Sequence, residues 1–176
     1  VLLIGAEALS RRMNYTDRST CVLFGDGAGA VVLRHTEAPL WGVRDVECLA
    51  DGSRNDLIVV GGGSALQVQP GDVVPDDFFL TMNGREVFRL AVGTMTQASK
   101  DLLARNGMTV DDIDLFIAHQ ANMRIIEAVG SRMEIDPSKV FINVQNYGNT
   151  SAATLPLAMQ DARRQGVLKP GMKVLL

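Results

Sequence analysis

The second half of the chain alternates segments of helical periodicity with short runs that are apolar at nearly every position. Three helices are predicted: one from Asn83 to the stop at Asn106-Gly107, one over 123–133 that is closed by Asp136-Pro137, and one over 151–165. The strand-like runs are LFIA (115–118), VFINV (140–144) and KVLL (173–176). Strands without a polar face are typical of a largely parallel sheet covered by helices on both sides. The pattern therefore predicts an α/β fold.

The first third is richer in short strands and glycine. The runs CVLF (21–24) and AVVL (30–33) flank GDGAG, which predicts two strands joined by a tight glycine turn. Residues 65–79 have no periodicity and are expected to form a surface excursion. Because composition shifts near residue 80 without a linker, we expect two subdomains, 1–80 and 81–176, within one body.

Both ends of the sequence have the character of buried strands. The chain opens on VLLIGAE without an initiator Met and stops on MKVLL. Terminal strands of this kind lack partners for their backbone groups and apolar side chains. We therefore expect these residues to be an internal piece of a longer protein.

Charge and cysteine content restrict the function classes. The 176 residues carry a formal net charge of −3, which disfavours a general nucleic-acid or anionic-membrane surface. No apolar run is long enough to span a bilayer. Two cysteines without paired spacing argue against a disulfide framework or a zinc site and indicate a reducing, cytosolic setting.

The segment GDGAGA fits the loose dinucleotide fingerprint, Gly25-x-Gly27-x-x-Ala30. That motif requires a following helix, whose amino terminus meets the phosphates. The sequence that follows, AVVLR, is β-branched and a poor helix start, so a hairpin turn with small residues and positive φ is favoured. A nucleotide-dependent oxidoreductase is the weakest functional hypothesis.

Two predicted strands end on polar side chains that can do chemistry. His119 follows LFIA, and Asn149 lies in QNYGNTSAAT, which follows VFINV. Each alone has a structural interpretation: His119 as a satisfied histidine, and Asn149 as a helix cap or turn residue, with Thr150 or Ser151 capping the following helix. Since open α/β sheets bind ligands beyond the carboxyl ends of their strands, the pair together predicts a site at one sheet edge.

The combination of HQAN (119–122), NYGNTSAAT (146–154), FGDGAGA (24–30) and MNGREVF (82–88) closely resembles the β-ketoacyl-acyl carrier protein synthase III family, in the same order along essentially the whole chain. The resemblance implies a thiolase-like, layered αβαβα architecture with mixed sheets. It also implies a Cys-His-Asn triad, of which His119 and Asn149 match the second and third members.

The family's nucleophilic cysteine precedes the region that these residues match, and its glycine-rich closing loop lies beyond Leu176. Neither Cys21 nor Cys48 matches the position of the nucleophile, and both are interpreted as packed thiols. The resemblance therefore implies that these 176 residues alone do not turn over substrate.

The implied reaction begins type II fatty acid synthesis. A cysteine takes the acyl group of acetyl-CoA or another acyl-CoA, malonyl-acyl carrier protein is decarboxylated, and the resulting enolate attacks the acyl-enzyme. His119 and Asn149 would donate hydrogen bonds to the enolate oxygen, with general base as the rival role for His119. Acyl-CoA is a substrate, no cofactor or metal is implied, and the expected assembly is a homodimer.

Further positions follow from the resemblance. Those expected around the coenzyme and its pantetheine arm are Arg18, Gly84, Phe88 and Asn122. Those expected to contact the acidic carrier protein are Gln120, Ala121, Asn122, Met123 and Arg124, with Arg89 and Arg132. Plain core packing is an equal interpretation of Phe88, and a solvated helix face is an equal interpretation of each arginine.

Two other functions share these motifs. A specialised condensing enzyme of secondary metabolism would carry the same His and Asn segments. A noncatalytic module that binds an acyl carrier or pairs subunits is the alternative from another class.

Overall fold

The computed structural model describes residues 1–37, 41–63 and 65–176. The strands are β1 (Leu2–Ala8), β2 (Asp26–Val32), β3 (Ile58–Val60), β4 (Leu80–Met82), β5 (Leu115–Phe116) and β6 (Val174–Leu175). The helices are α1 (Gly84–Arg105), α2 (Met123–Met133), α3 (Val144–Tyr147) and α4 (Thr154–Arg164). Short 3-10 turns lie at Leu9–Arg12, Gly52–Arg54, Asp76–Phe78, Val110–Asp112, Pro137–Lys139 and Ser151–Ala153.

Strand β5 lies at the centre of the second half. It pairs in parallel with β6, Leu115 opposite Val174, and Phe116 forms a parallel bridge to Val140 on its other side. The predicted strand over 140–144 is therefore wrong beyond that bridge. The backbone N–H of Asn143 donates to a side-chain oxygen, that of Gln120, at 2.9 Å instead of to a neighbouring strand, and α3 begins one residue later.

The residues of 115–118 are buried and alternate between two apolar clusters. Phe116 and Ala118 pack in a cluster that contains the buried residues of α1 and α2, whereas Leu115 and Ile117 pack against Ala158 and other residues of α4. Helices thus cover both faces of the strand, which is why it is apolar at every position.

The helix boundaries follow local capping chemistry. The Asn83 side chain accepts from Glu86 N at 3.4 Å and caps α1, which ends before Asn106 and Gly107, the glycine having φ of 62°. Helix α2 ends at Met133, before the predicted Asp136-Pro137 stop, because Glu134 already adopts a left-handed conformation with φ of 61°.

The predicted hairpin around GDGAG is wrong. These glycines lie mostly within β2, which pairs antiparallel with β1, Leu2 opposite Val32 and Ala8 opposite Asp26. None of Gly25, Gly27 and Gly29 has a positive φ.

Close backbone approach accounts for the glycines of this sheet. A Cβ on Gly5 would lie 2.4 Å from the carbonyl oxygen of Ala152, and one on Gly29 would lie 2.5 Å from Cβ of Pro156. The sheet therefore rests directly on the start of α4 and the turn before it, a placement that side chains at these positions would prevent.

The two predicted subdomains are in direct contact, since β1 and β2 pack on Ser151–Ala153 and α4. In addition, β4 begins at residue 80 itself and pairs antiparallel with β3, Ile58 opposite Met82. The division at residue 80 stays a prediction. Within the described residues, no helix has both the length and the apolar character needed to cross a bilayer.

Candidate active site

His119 lies just beyond the buried run that continues β5. Its side chain is half-buried, and burial lowers the pKa of the imidazole because the charged form loses hydration. None of the described residues forms a hydrogen bond with its ring. A neutral imidazole at this position has one N–H to donate and one nitrogen to accept with.

Asn149 is held in an extended conformation against the segment that leads into β2. Its N–H donates to Leu23 O at 2.8 Å, and Gly25 N donates to its carbonyl at 3.0 Å. Its side-chain oxygen accepts from Ser151 N at 3.0 Å. The atom that faces a backbone N–H must be Oδ1, so the amide group Nδ2 points away and donates to none of the described residues.

The turn interpretation holds for the Asn149 side chain, which accepts from the N–H two residues on, while its backbone forms a parallel bridge to Phe24; the predicted helix cap is not formed. Thr150 and Ser151 make no side-chain cap, and a 3-10 turn precedes α4. Ser151 has φ of 48° and Gly148 has φ of 69°. These left-handed residues on either side give the Asn149 segment a sharply bent path that the side-chain bond to Ser151 stabilises.

A hydrogen bond joins the His119 and Asn149 segments. The N–H of Gln120 donates to Oγ1 of Thr154 at 2.8 Å. Gln120 is the neighbour of His119, and Thr154 follows Asn149 by five residues and begins α4. The structure therefore brings these two predicted strand-end segments to one end of the fold.

The carrier contact of Gln120 stays a prediction, and the burial of this residue gives it little support. Its side chain is only 2% exposed, and both polar ends are bonded internally, Nε2 to the carbonyls of Ala118 and Phe141 and Oε1 to Asn143 N. A residue whose polar atoms are saturated in the interior has little surface to offer a protein partner.

The next residues, Ala121 to Arg124, lie nearer the surface. Ala121 is half-buried and Met123 is 41% exposed. The Asn122 side chain accepts from Arg124 N at 2.8 Å and caps α2. Asn122 therefore has a structural role beside the pantetheine contact that the resemblance implies.

The three predicted carrier-binding arginines differ in their surroundings. Arg124 is exposed on the first turn of α2, and none of the described residues forms an ion pair with it. Arg89 is paired with Glu86 at 2.8 Å. Arg132 lies in the last turn of α2, eight residues or about 12 Å along the axis from Arg124. The structure thus separates Arg132 from the His119 end of α2.

Three of the four predicted coenzyme positions lie on exposed parts of the chain, and the fourth, Asn122, is half-buried. Arg18 is in an exposed turn, and Gly84 and Phe88 are at the start of α1, where the Phe88 side chain is 38% exposed. A Cβ on Gly84 would meet only Met82 Cε at 3.5 Å, an ordinary contact. The described chain itself does not require glycine there. The core-packing interpretation of Phe88 is weakened by its exposure.

One of the two cysteines, Cys48, departs from the interpretation of both as packed thiols. Both are free, Cys21 is half-buried in a turn, and Cys48 is exposed, so its interpretation as a packed thiol is wrong. The described segment around it has no regular structure that would bury it.

A polar network behind the site was missed by the sequence analysis. Asn143 Nδ2 donates to Oδ2 of Asp161 at 3.0 Å, and the Tyr147 hydroxyl donates to Oδ1 of the same carboxylate at 3.2 Å. That bond raises the pKa of Tyr147 because it stabilises the protonated phenol. The sequence offered one signal of this network: Asp161 is an acidic residue of α4 that lies next to the buried Ala162.

Solved structures that share this fold define the class. The chain aligns over 99% of its length with 53% of β-ketoacyl-[acyl-carrier-protein] synthase III from Thermus thermophilus, at 40% identity and a TM-score of 0.85. It aligns over 99% of its length with 51% of the priming β-ketosynthase of the R1128 polyketide pathway, at 31% identity and a TM-score of 0.83. The fold is that of the thiolase-like condensing enzymes, which confirms the predicted α/β class.

Two family models match the chain in order. Residues 1–52 match 3-oxoacyl-[acyl-carrier-protein] synthase III, and residues 103–176 match its C-terminal part. The β-ketoacyl-[acyl-carrier-protein] synthase III of Nitratidesulfovibrio vulgaris strain Miyazaki F is 55% identical over all of this chain and 53% of its own length. The chain belongs to the 3-oxoacyl-[acyl-carrier-protein] synthase III family, and it spans about half the length of the curated relatives it matches.

Proposed function

We propose that the protein catalyses the first decarboxylative condensation of fatty acid synthesis, between an acyl-CoA and malonyl-acyl carrier protein. A cysteine thiolate takes the acyl group and releases CoA. The malonyl thioester then loses carbon dioxide, and its enolate carbon attacks the acyl-enzyme carbonyl. The cysteine thiolate leaves, and the β-ketoacyl group remains on the carrier protein.

The orientation of the Asn149 amide is the observation that carries this proposal. With Oδ1 turned toward Ser151 N–H, the Nδ2 group points away from that bond, and its two N–H donors are available to a ligand. Negative charge develops on the thioester oxygen during decarboxylation, and donors fixed in advance stabilise it. An amide cannot titrate, so it keeps this role at any pH.

His119 supplies the second donor. Its lowered pKa keeps the imidazole neutral near pH 7, where it donates one N–H without offering the adjacent carbanion an acidic proton. This favours donor over general base, because decarboxylation generates the carbanion without removal of a proton. No resident cofactor takes part in the proposed reaction.

Malonyl-acyl carrier protein and acyl-CoA are the proposed partners, with exposed Arg124 the strongest of the carrier-binding arginines. We also propose a cytoplasmic homodimer. The two free cysteines support a reducing compartment, and the homodimer is what the family resemblance implies.

The test is to express the protein from its full reading frame and supply acetyl-CoA with malonyl-acyl carrier protein. Mass spectrometry of the carrier is expected to show the β-ketoacyl product, and His119→Ala is expected to abolish it while acyl transfer from CoA persists. Carrier binding without decarboxylation would instead support the noncatalytic module.

The likeness to the polyketide priming ketosynthase keeps a specialised condensing enzyme as a second candidate. The two differ in biological setting rather than chemistry. Restored growth of a bacterial strain depleted of its own synthase III would favour fatty acid synthesis, and failure to restore growth with condensing activity intact in vitro would favour the specialised role.

A further inference from the structure

Gln120 is a buried polar side chain whose every hydrogen-bonding group has a partner. Nε2 donates to Ala118 O at 2.9 Å and to Phe141 O at 3.2 Å, and Oε1 accepts from Asn143 N at 2.9 Å. The backbone N–H of Gln120 adds the bond to Thr154 Oγ1. A fully satisfied buried amide has one allowed placement, because any rotation of its side chain breaks several bonds at once.

These bonds cross-link three separate segments. Ala118 ends the buried run that leads to His119, Phe141 and Asn143 belong to the chain beside it, and Thr154 begins α4. Because Asn143 N is occupied by Gln120, the chain leaves the sheet at this point and enters α3. Gln120 therefore fixes the point at which the segment that leads to Asn149 separates from β5.

The same chain of bonds continues toward Asn149. Asn143 Nδ2 donates to Asp161, and Asp161 accepts from Tyr147, two residues before Asn149. The Tyr147 carbonyl is so close to Gly25 that a Cβ on that glycine would lie 1.9 Å from its oxygen. The network thus extends from Gln120, the neighbour of His119, to Tyr147, which lies two residues before Asn149.

We propose that Gln120 is a positioning residue for the condensation, whose side-chain and backbone hydrogen bonds together set the placement of the His119 imidazole relative to the Asn149 carboxamide. This rests on the function proposed above and replaces the carrier contact expected for Gln120. Two donors that share one small oxygen must be held within a few tenths of an ångström, and a rigid amide between their segments provides that.

The two roles predict different kinetics. A carrier-contact residue acts on encounter, so its loss raises KM for malonyl-acyl carrier protein. A positioning residue acts on the transition state, so its loss lowers kcat and leaves that KM nearly unchanged. Arg124→Ala supplies the comparison for the first pattern.

The experiment uses the protein expressed from its full reading frame and measures decarboxylation of malonyl-acyl carrier protein. Gln120→Met keeps the side-chain length and removes the three side-chain hydrogen bonds, while the backbone bond to Thr154 is retained. We expect kcat to fall at least tenfold with KM within twofold, whereas Arg124→Ala raises KM more than it lowers kcat.

Thermal melting would reveal whether Gln120→Met fails to fold. In that case a second pair of variants, at Thr154, tests the same proposal. Thr154→Val keeps the shape of the residue and removes the acceptor of Gln120 N–H, while Thr154→Ser retains it. We expect Thr154→Val to lower kcat severalfold and Thr154→Ser to restore it.

Three outcomes would overturn the proposal. A folded Gln120→Met protein with wild-type kcat, a rise in KM alone, or equal kcat for the two Thr154 variants would each remove the positioning role. A wild-type protein that leaves the malonyl carrier intact would instead remove the proposed function itself, and with it the reaction that Gln120 is proposed to serve.

Discussion

Gly25 donates its backbone N–H to the carbonyl of Asn149 at 3.0 Å, so the glycine segment that leads into β2 is bonded directly to the residue that carries the candidate catalytic amide. The glycines of GDGAGA are explained by this close approach, without a phosphate ligand. Its small residues let a strand lie against the turn that presents Asn149, which links the fold of the first half to the chemistry of the second.

Asn149→Asp separates the donor role of this side chain from its role in the turn. Aspartate retains an oxygen to accept from Ser151 N but has no N–H to donate. We expect kcat for decarboxylation to fall about 10²–10³-fold, the usual effect of losing one oxyanion donor, with little change in melting temperature. Wild-type decarboxylation by this variant would contradict the donor assignment.

The pH dependence of activity is expected to follow the lowered pKa of His119. The neutral imidazole persists above that pKa, so kcat should be constant at neutral pH and fall only as pH drops through a value below the ordinary one of about 6.5. A midpoint above 6.5 in the pH–kcat profile would contradict this, because burial can only favour the neutral form.

Stability should carry the same signature. The unfolded chain binds a proton at His119 more readily than the folded one, so this residue lowers stability as pH falls below about 6.5 and has no effect above it. Urea unfolding of wild type and His119→Gln across pH 5–8 measures the difference. We expect the two curves to diverge only on the acidic side, and parallel curves would remove the assignment.

Gly25→Ala is expected to destabilise the protein and impair catalysis together. Its Cβ would overlap the Tyr147 carbonyl at 1.9 Å, and relief of that overlap requires a backbone shift next to Asn149. Overpacking of this kind costs about 1–3 kcal/mol in the free energy of unfolding. Urea denaturation and kcat measure the two effects.

Gly93→Ala is the matched control for that substitution. Gly93 lies inside α1, and a Cβ there would meet no described heavy atom within 4 Å. Alanine is the better helix former by about 0.8–1 kcal/mol, so this variant should be slightly more stable. Equal destabilisation by both alanines would show that steric overlap is not the cause.

The carrier-binding arginines should rank by their pairing. Arg124→Ala is expected to raise KM for malonyl-acyl carrier protein about fivefold at low salt, and Arg89→Ala less, since Glu86 already neutralises that guanidinium. Both effects should shrink as ionic strength rises. A larger effect of Arg89→Ala would reverse the ranking.

Neither cysteine of this chain is expected to carry the acyl group. Acetyl transfer from CoA followed by peptide mass mapping should find the label outside Cys21 and Cys48, and Cys21→Ser with Cys48→Ser should condense substrates normally. Label on either residue would contradict the triad implied by the family resemblance.

The periodicity of the second half was sufficient for much of the fold. The buried run 115–118 and the cap and stop of α1 follow from side-chain apolarity and backbone preference, which are local properties. The family likeness came from equally local motifs at two strand ends. The pairing of GDGAGA escaped prediction because a glycine required for close approach and one required for a turn are identical in sequence.

The sequence by itself determined the α/β class, the family, and the candidates His119 and Asn149, because residue type and spacing carry that information. Only the tertiary structure showed that the buried Gln120 side chain bonds separate segments to one another, and that the segment leading into β2 packs against the turn that contains Asn149. These contacts join residues more than 20 positions apart in the sequence. The pattern of residue types shows which side chains are polar, but it does not show which distant atoms form hydrogen bonds with them.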